Sequence, residues 1–238
     1  MKKVDYIFRI IPLVVVLLLI SFFANNRNNE REIVSESVNF DTDDALYISK
    51  DLVNKMLKES MLNEQTFNKE MIDLKEVEER IESEKFVDKA NVYLSVDSGV
   101  RVDIEQRKPI LRVFNNVPFY LDASGFEMPI SLQHSARVPV VFNFTEKHKN
   151  DLVKLVNFIR RDQFLKQLVV SVDCKLKNEF LFKIRDENFS VKLGSIDNLE
   201  LKFKNFKAFY VKAKKDKLFT KYSSVNLEIT NQVICTRI

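Results

Sequence analysis

Between Phe86 and Pro109 the chain reads FVDKANVYLSVDSGVRVDIEQRKP, and two short runs inside it restrict the fold more than any other stretch. Val92, Leu94 and Val96 alternate with Tyr93, Ser95 and Asp97; after Ser98-Gly99, Val100, Val102 and Ile104 alternate with Arg101, Asp103 and Glu105. Alternation of period two on both sides of a turn predicts an antiparallel hairpin with one apolar face. Two strands alone are marginal in water, so that face must be covered. The cover lies upstream. Leu74, Val77 and Ile81 recur at helical spacing behind Asp73 as N-cap, with Glu76 completing a capping box. An earlier amphipathic stretch, opened by Ser49, carries Leu52, Val53, Met56 and Leu57, and Ile33, Val34 and Val38 suggest a first strand. The resulting order is strand, helix, helix, strand, strand.

Ahead of this unit, Tyr6 to Ala24 is apolar apart from Arg9 and Ser21. As a helix its nineteen residues would rise about 28 Å, close to the roughly 30 Å hydrocarbon core of a bilayer. Lys2, Lys3 and Arg9 favour a cytoplasmic N-terminus, which sends everything after Ala24 across the membrane. A cleaved signal peptide is the competing reading, but Phe22-Phe23-Ala24 runs into Asn25-Asn26-Arg27 without a small-x-small site. Residues 25–32 then form a short polar stalk.

Past Gln106-Arg107 the pattern changes. Pro109 marks a boundary because it lacks the N–H a central strand needs. Leu111 and Val113, an Asn115-Asn116 turn, Phe119 and Leu121, an Ala123-Ser124-Gly125 turn, then Phe126, Met128 and Ile130 read as short strands joined by tight turns. Thr145 can cap a helix that buries Leu152, Leu155, Val156 and Ile159 and leaves Lys154, Arg160 and Arg161 outside. Strands follow over 168–174, 179–184 and 189–193. A second helix places Leu199, Phe203, Phe206 and Tyr210 on one face with lysines on the other, and the last strands run over 221–230 and 232–236. With 45% hydrophobic residues the chain has material for real cores.

Little in the sequence points to catalysis or to nucleic acid. The net charge is only +4 and lysine is scattered among acidic residues, without the basic block of a nucleic-acid binder. His134 and His148 lie in or beside loops without HExxH or HxH spacing, and read as surface histidines. The three glycines, Gly99, Gly125 and Gly194, are accounted for by turns, which leaves no phosphate-cradling loop. Cys174 and Cys235 sit in alternating apolar runs and read as buried free thiols, with a disulfide as the alternative. No catalytic, metal or cofactor residues are assigned, and no small-molecule substrate is expected. The N-x-S/T matches at Asn143 and Asn188 are expected by chance in an Asn-rich chain.

The strand-helix-helix-strand-strand order, with Phe86-Val87 leading into Ala90-Asn91-Val92 and closing on VDIEQRKP, resembles the POTRA domain of the FtsQ/DivIB family of bacterial division proteins. Tyr120-Leu121-Asp122 with Gly125, Arg137 to Val141, Lys221-Tyr222-Ser223, Asn226-Leu227 and Gln232-Val233 extend the resemblance over nearly all of the chain outside the membrane. It implies an α+β protein: residues 1–5 cytoplasmic, 6–24 a single transmembrane helix, 25–32 the stalk, 33–107 the POTRA-like domain, and 108–238 a β-rich domain with an antiparallel sheet and two helices. It also implies a bitopic inner-membrane scaffold at the division septum. Its POTRA-like part would contact division proteins, and its terminal strand region would pair with an FtsB-like partner that travels with an FtsL-like one. Carried across, the contact strand is Tyr222, Ser223, Ser224, Val225, Asn226, Leu227, Glu228, Ile229 and Thr230, expected to be the outer strand of the sheet. Val225, Leu227 and Ile229 would face the core, and Ser224, Asn226 and Glu228 would face solvent or partner. Two rivals are a membrane-anchored periplasmic cell-wall hydrolase, which needs a cleft lined by carboxylates or by both histidines, and a POTRA-type chaperone, which needs repeated units.

Overall fold

Alternation in the hairpin translates directly into burial. A computed structural model of the protein describes residues 12–23, 36–40, 47–62, 73–95, 99–175 and 179–238, and in it Val100, Val102, Ile104 and Gln106 are buried while the residues between them are half-exposed. The chain divides into two compact units, Met1–Gln106 and Arg107–Ile238.

In the first unit, residues 12–23 form helix α1, exposed along its length. Its twelve residues rise about 18 Å, and among the described residues no helix is long and apolar enough to cross a membrane. The span expected over Tyr6 to Ala24 runs past α1 at both ends, so 6–11 and 24 lie outside the described residues, as do 25–35 and 96–98. Strand β1 (Glu36–Phe40), helices α2 (Lys50–Leu62) and α3 (Leu74–Glu82), and strands β2 (Val87–Leu94) and β3 (Val100–Gln106) follow in the expected order. The sheet runs β1-β3-β2, with β3 parallel to β1 and antiparallel to β2, so that Val102 lies opposite both Val38 and Val92. Val53, Leu57, Val77 and Ile81 of the two helices close over that row. Both helix starts are made by the residues that the sequence singles out. Ser49 Oγ accepts from the Leu52 amide, and the Asp73 carboxylate accepts from the amides of Lys75 and Glu76. Gln106 is buried without penalty because its Oε1 accepts from the Tyr47 amide at 2.9 Å.

Among the described residues the second unit is built on nine strands: β4 (Pro109–Val113), β5 (Phe119–Asp122), β6 (Glu127–Pro129), β7 (Val140–Phe142), β8 (Val169–Lys175), β9 (Glu179–Ile184), β10 (Ser190–Gly194), β11 (Tyr222–Asn226) and β12 (Ile234–Arg237). Their order is β12-β11-β10-β9-β8-β7-β4-β5-β6. The expected antiparallel sheet is in fact mixed, since β4–β7, β7–β8 and β10–β11 are parallel pairs. Parallel neighbours need a crossover, supplied here by α4 (Lys149–Arg161) with α5 (Gln163–Leu168) between β7 and β8, and by α6 (Leu199–Lys215) between β10 and β11. Because β7, β8, β10 and β11 point the same way and both crossovers move toward β12, the right-handed rule puts these helices on one face. Phe158 of α4 accordingly stacks on Phe203 of α6 with ring centroids 5.4 Å apart. Beneath them lie Leu152, Leu155, Val156, Ile159, Phe206 and Tyr210, against Val141, Val172, Phe180, Phe182 and Val191 of the sheet.

Helix α5 is absent from the sequence reading, which runs strand from Leu168. Six residues with two buried leucines give too short a period to recognise, although Asp162 caps it through the Leu165 amide. Pro109 opens β4 within the sheet rather than at its edge. A bulge between Pro109 and Leu111 absorbs the missing donor.

Candidate partner-binding edge

The β10–α6–β11 crossover decides where the sheet ends. It lays β11 parallel to β10, matching Ser190 to Ser224, Val191 to Val225 and Lys192 to Asn226. The chain then turns through 227–233 and returns antiparallel on the outer side of β11, matching Val225 to Cys235 and Asn226 to Ile234. Among the described residues no strand lies beyond β12. The Ile238 amide donates to the Lys221 carbonyl at 3.1 Å, and the Thr236 carbonyl accepts from Ser223 Oγ at 3.3 Å. Both contacts mark even positions as facing inward. Strand alternation therefore directs the main-chain N–H and C=O of Cys235 and Arg237 outward. Ile234 and Ile238 are exposed beside that row. At the opposite end, β6 is only three residues long and closes on Pro129, features that blunt an edge.

The expected contact strand needs correction. Tyr222, Ser223, Ser224, Val225 and Asn226 form β11, which is flanked on both sides by this protein's own backbone and so is not the outer strand. Leu227 continues the pairing through its amide to the Lys192 carbonyl at 2.8 Å. Glu228, Ile229 and Thr230 belong to the turn beyond it. Val225 and Leu227 face the core as expected, but Ile229 is 49% exposed because alternation ends at Leu227. Both final strands are legible in the sequence, but which of them lies outside is not, because a parallel crossover leaves no local mark in a strand's residues.

That turn is held by a polar network. Asn226 Nδ2 donates to Glu228 Oε2, Asn226 Oδ1 accepts from the Glu228 amide, and Lys192 Nζ lies 3.0 Å from Glu228 Oε1. The Asn226 hydrogen bond first, and Lys192 next, hold the Glu228 carboxyl below the usual glutamate range. Gly194, at φ +70°, leaves the room: a Cβ there would sit 2.7 Å from Glu228 Cγ. Lys202 corrects the expectation that the lysines of α6 lie outside. It is buried, with Nζ donating to the carbonyls of Leu193 and Ser195, and burial lowers its pKa. Its place was readable, since 202 falls beside Leu199, Phe203 and Phe206 on the apolar stripe. Asn205 of α6 ties down the far end of the turn through the Thr230 carbonyl at 2.8 Å.

His148 is not a surface residue. It is buried, with Nδ1 3.0 Å from Thr145 Oγ1 and its ring edge-on to Phe180. His134 is half-buried in the loop before β7. Cys174 and Cys235 are unbridged, and burial pushes the Cys174 thiol up to about 12, far from a reactive thiolate. Among the described residues no group of three His, Cys, Asp or Glu could hold a metal ion. A groove of about 500 Å³ between α4 and α6 is lined by Phe158, Arg161, Asp162, Glu200, Phe203, Lys204 and Lys207. It contains neither histidine, and its Asp162 is ion-paired to Lys207.

A small strand-helix-helix-strand-strand unit followed by a mixed sheet that ends, among the described residues, on β12 defines a two-module α+β protein. Residues 37–105 match the POTRA-like domain, and residues 108–236, more than half of the chain, match the family described as FtsQ/DivIB, C-terminal related. The chain belongs to the FtsQ/DivIB family of cell division proteins. No curated protein matches it.

Proposed function

We propose that this protein is a non-catalytic scaffold of the bacterial division complex that recruits its partner by strand addition to β12. The supporting observation is the outward main-chain row of Cys235 and Arg237 at the end of the nine-stranded sheet. A partner strand laid there would gain backbone hydrogen bonds, and the exposed Ile234 and Ile238 beside them would give it apolar contact. Residues 6–24 would anchor the chain in the inner membrane with the two units on the far side, at the septum. FtsB-like and FtsL-like proteins are the partners that membership in this family suggests. The POTRA-like unit would provide a second contact surface.

Proline separates this reading from one in which β11 itself docks the partner. An edge strand tolerates proline where its N–H faces outward, so Arg237→Pro should fold normally yet lose strand addition. Asn226→Pro, within a strand paired on both sides, should destabilise the sheet. The measurement is co-purification of an FtsB-like partner with the full chain in detergent, with circular dichroism to report folding. Folded Arg237→Pro protein that retains full affinity would refute docking at β12.

A further inference from the structure

In the sheet of the first unit β2 is an edge strand, and two of its outward amides are already occupied. Ala90 and Val92 are two of the outward-facing positions of β2. The Ala90 amide donates to Glu82 Oε1 at 3.0 Å and the Val92 amide to Glu78 Oε1 at 2.8 Å. Both carboxylates come from α3, which runs antiparallel to the strand at this point. Four residues of helix advance about 6 Å and two residues of strand about 6.6 Å. An i, i+4 pair of glutamates can thus meet successive outward amides of one strand, standing where the carbonyls of a neighbouring strand would stand. We propose that Glu78 and Glu82 are guard residues that keep the POTRA-like sheet closed to strand addition at β2, and that the occupant they exclude is β2 of a second copy of this chain.

Self-pairing is argued from the strand's own residues. In an antiparallel register with Ala90 opposite Val92 of the second copy, these two amides of each chain would find carbonyls. Asp88 would then face Leu94, Lys89 would face Tyr93, and Asn91 would face itself. No like charges oppose one another, and the guard carboxylates occupy the amides that such an isologous pair would use. Closing this edge would keep self-association at β2 from competing with recruitment at β12. The guard is independent of where the division partner docks.

The test uses the full chain in detergent and two double variants. Glu78→Ala with Glu82→Ala removes the acceptors, whereas Glu78→Gln with Glu82→Gln keeps an acceptor oxygen at each position. In samples dilute enough to remain monomeric, amide exchange at Ala90 and Val92 should quicken at least tenfold in the alanine pair and stay near the parent rate in the glutamine pair. Asn91→Cys, added to each, reports the two-fold: a non-hydrogen-bonded pair has Cα atoms about 4.5 Å apart, within disulfide range. A disulfide-linked dimer should form in the alanine background alone. Unchanged exchange in the alanine pair would overturn the guard. Quickened exchange without the disulfide-linked dimer, or the same dimer when Asn91→Cys is placed in the parent background, would overturn the second copy as the excluded occupant.

Discussion

Glu228 shows how much of the candidate edge depends on single side chains. Its carboxylate receives Asn226 and Lys192 and lies over Gly194, so it ties β10, β11 and the turn before β12 into one piece. Its folded pKa is depressed, chiefly by Asn226 and then by Lys192. The unfolded chain therefore takes up the proton first as pH falls. The stabilisation is fully present above the ordinary glutamate range and is lost as pH drops through the folded value. Glu228→Gln should thus be less stable than the parent at pH 7, with the gap narrowing as pH falls past about 4. Urea denaturation at both values measures this. A gap independent of pH would mean that the charge of Glu228 contributes nothing. Asp122 is a second such group: burial alone would raise its carboxyl, but Ser124, Arg107 and the Phe126 and Ser124 amides together lower it.

At the scale of the element, α6 carries the second unit. As a crossover it aligns β11 with β10. As a packing surface it sets Phe203 and Phe206 against Phe182, at centroid distances of 5.7 and 5.8 Å. Phe203→Ala should cost about 4 kcal/mol and loosen β11 and β12 along with the helix. Its checks are the denaturation midpoint and amide exchange at Val225. The apolar stripe of α6 was legible at Leu199, Phe203, Phe206 and Tyr210 because helical spacing is local. That α6 joins parallel neighbours was not, because parallel pairing is a relation between strands separated by some thirty residues. The same blindness moved the open edge from the expected Tyr222–Thr230 to β12, and it hid the Glu78 and Glu82 contacts, whose i, i+4 spacing looks like any solvated helix face.

At the scale of the whole molecule, each unit has its own core. Val38, Val53, Ile81, Val102 and Ile104 make one, and Leu111, Val141, Leu155, Phe182, Phe203 and Val225 belong to the other. Cores that share no residues should unfold separately. Ile104→Ala, removing a fully buried side chain, should cost the first unit about 3 kcal/mol and shift one of two denaturation transitions while the other stays put. A single transition shifting as a whole would show the units to be thermodynamically coupled. The strand-helix-helix-strand-strand order of the first unit, the caps at Ser49 and Asp73 and the core faces of β3, α4 and α6 were determined by sequence alone, because each is written in the spacing of neighbouring residues. Which strand of the last sheet lies open, which lysine is buried and which carboxylates close β2 were decided only in the tertiary structure. Backbone donors and acceptors are the same at every position, and only the packed fold determines which of them find partners.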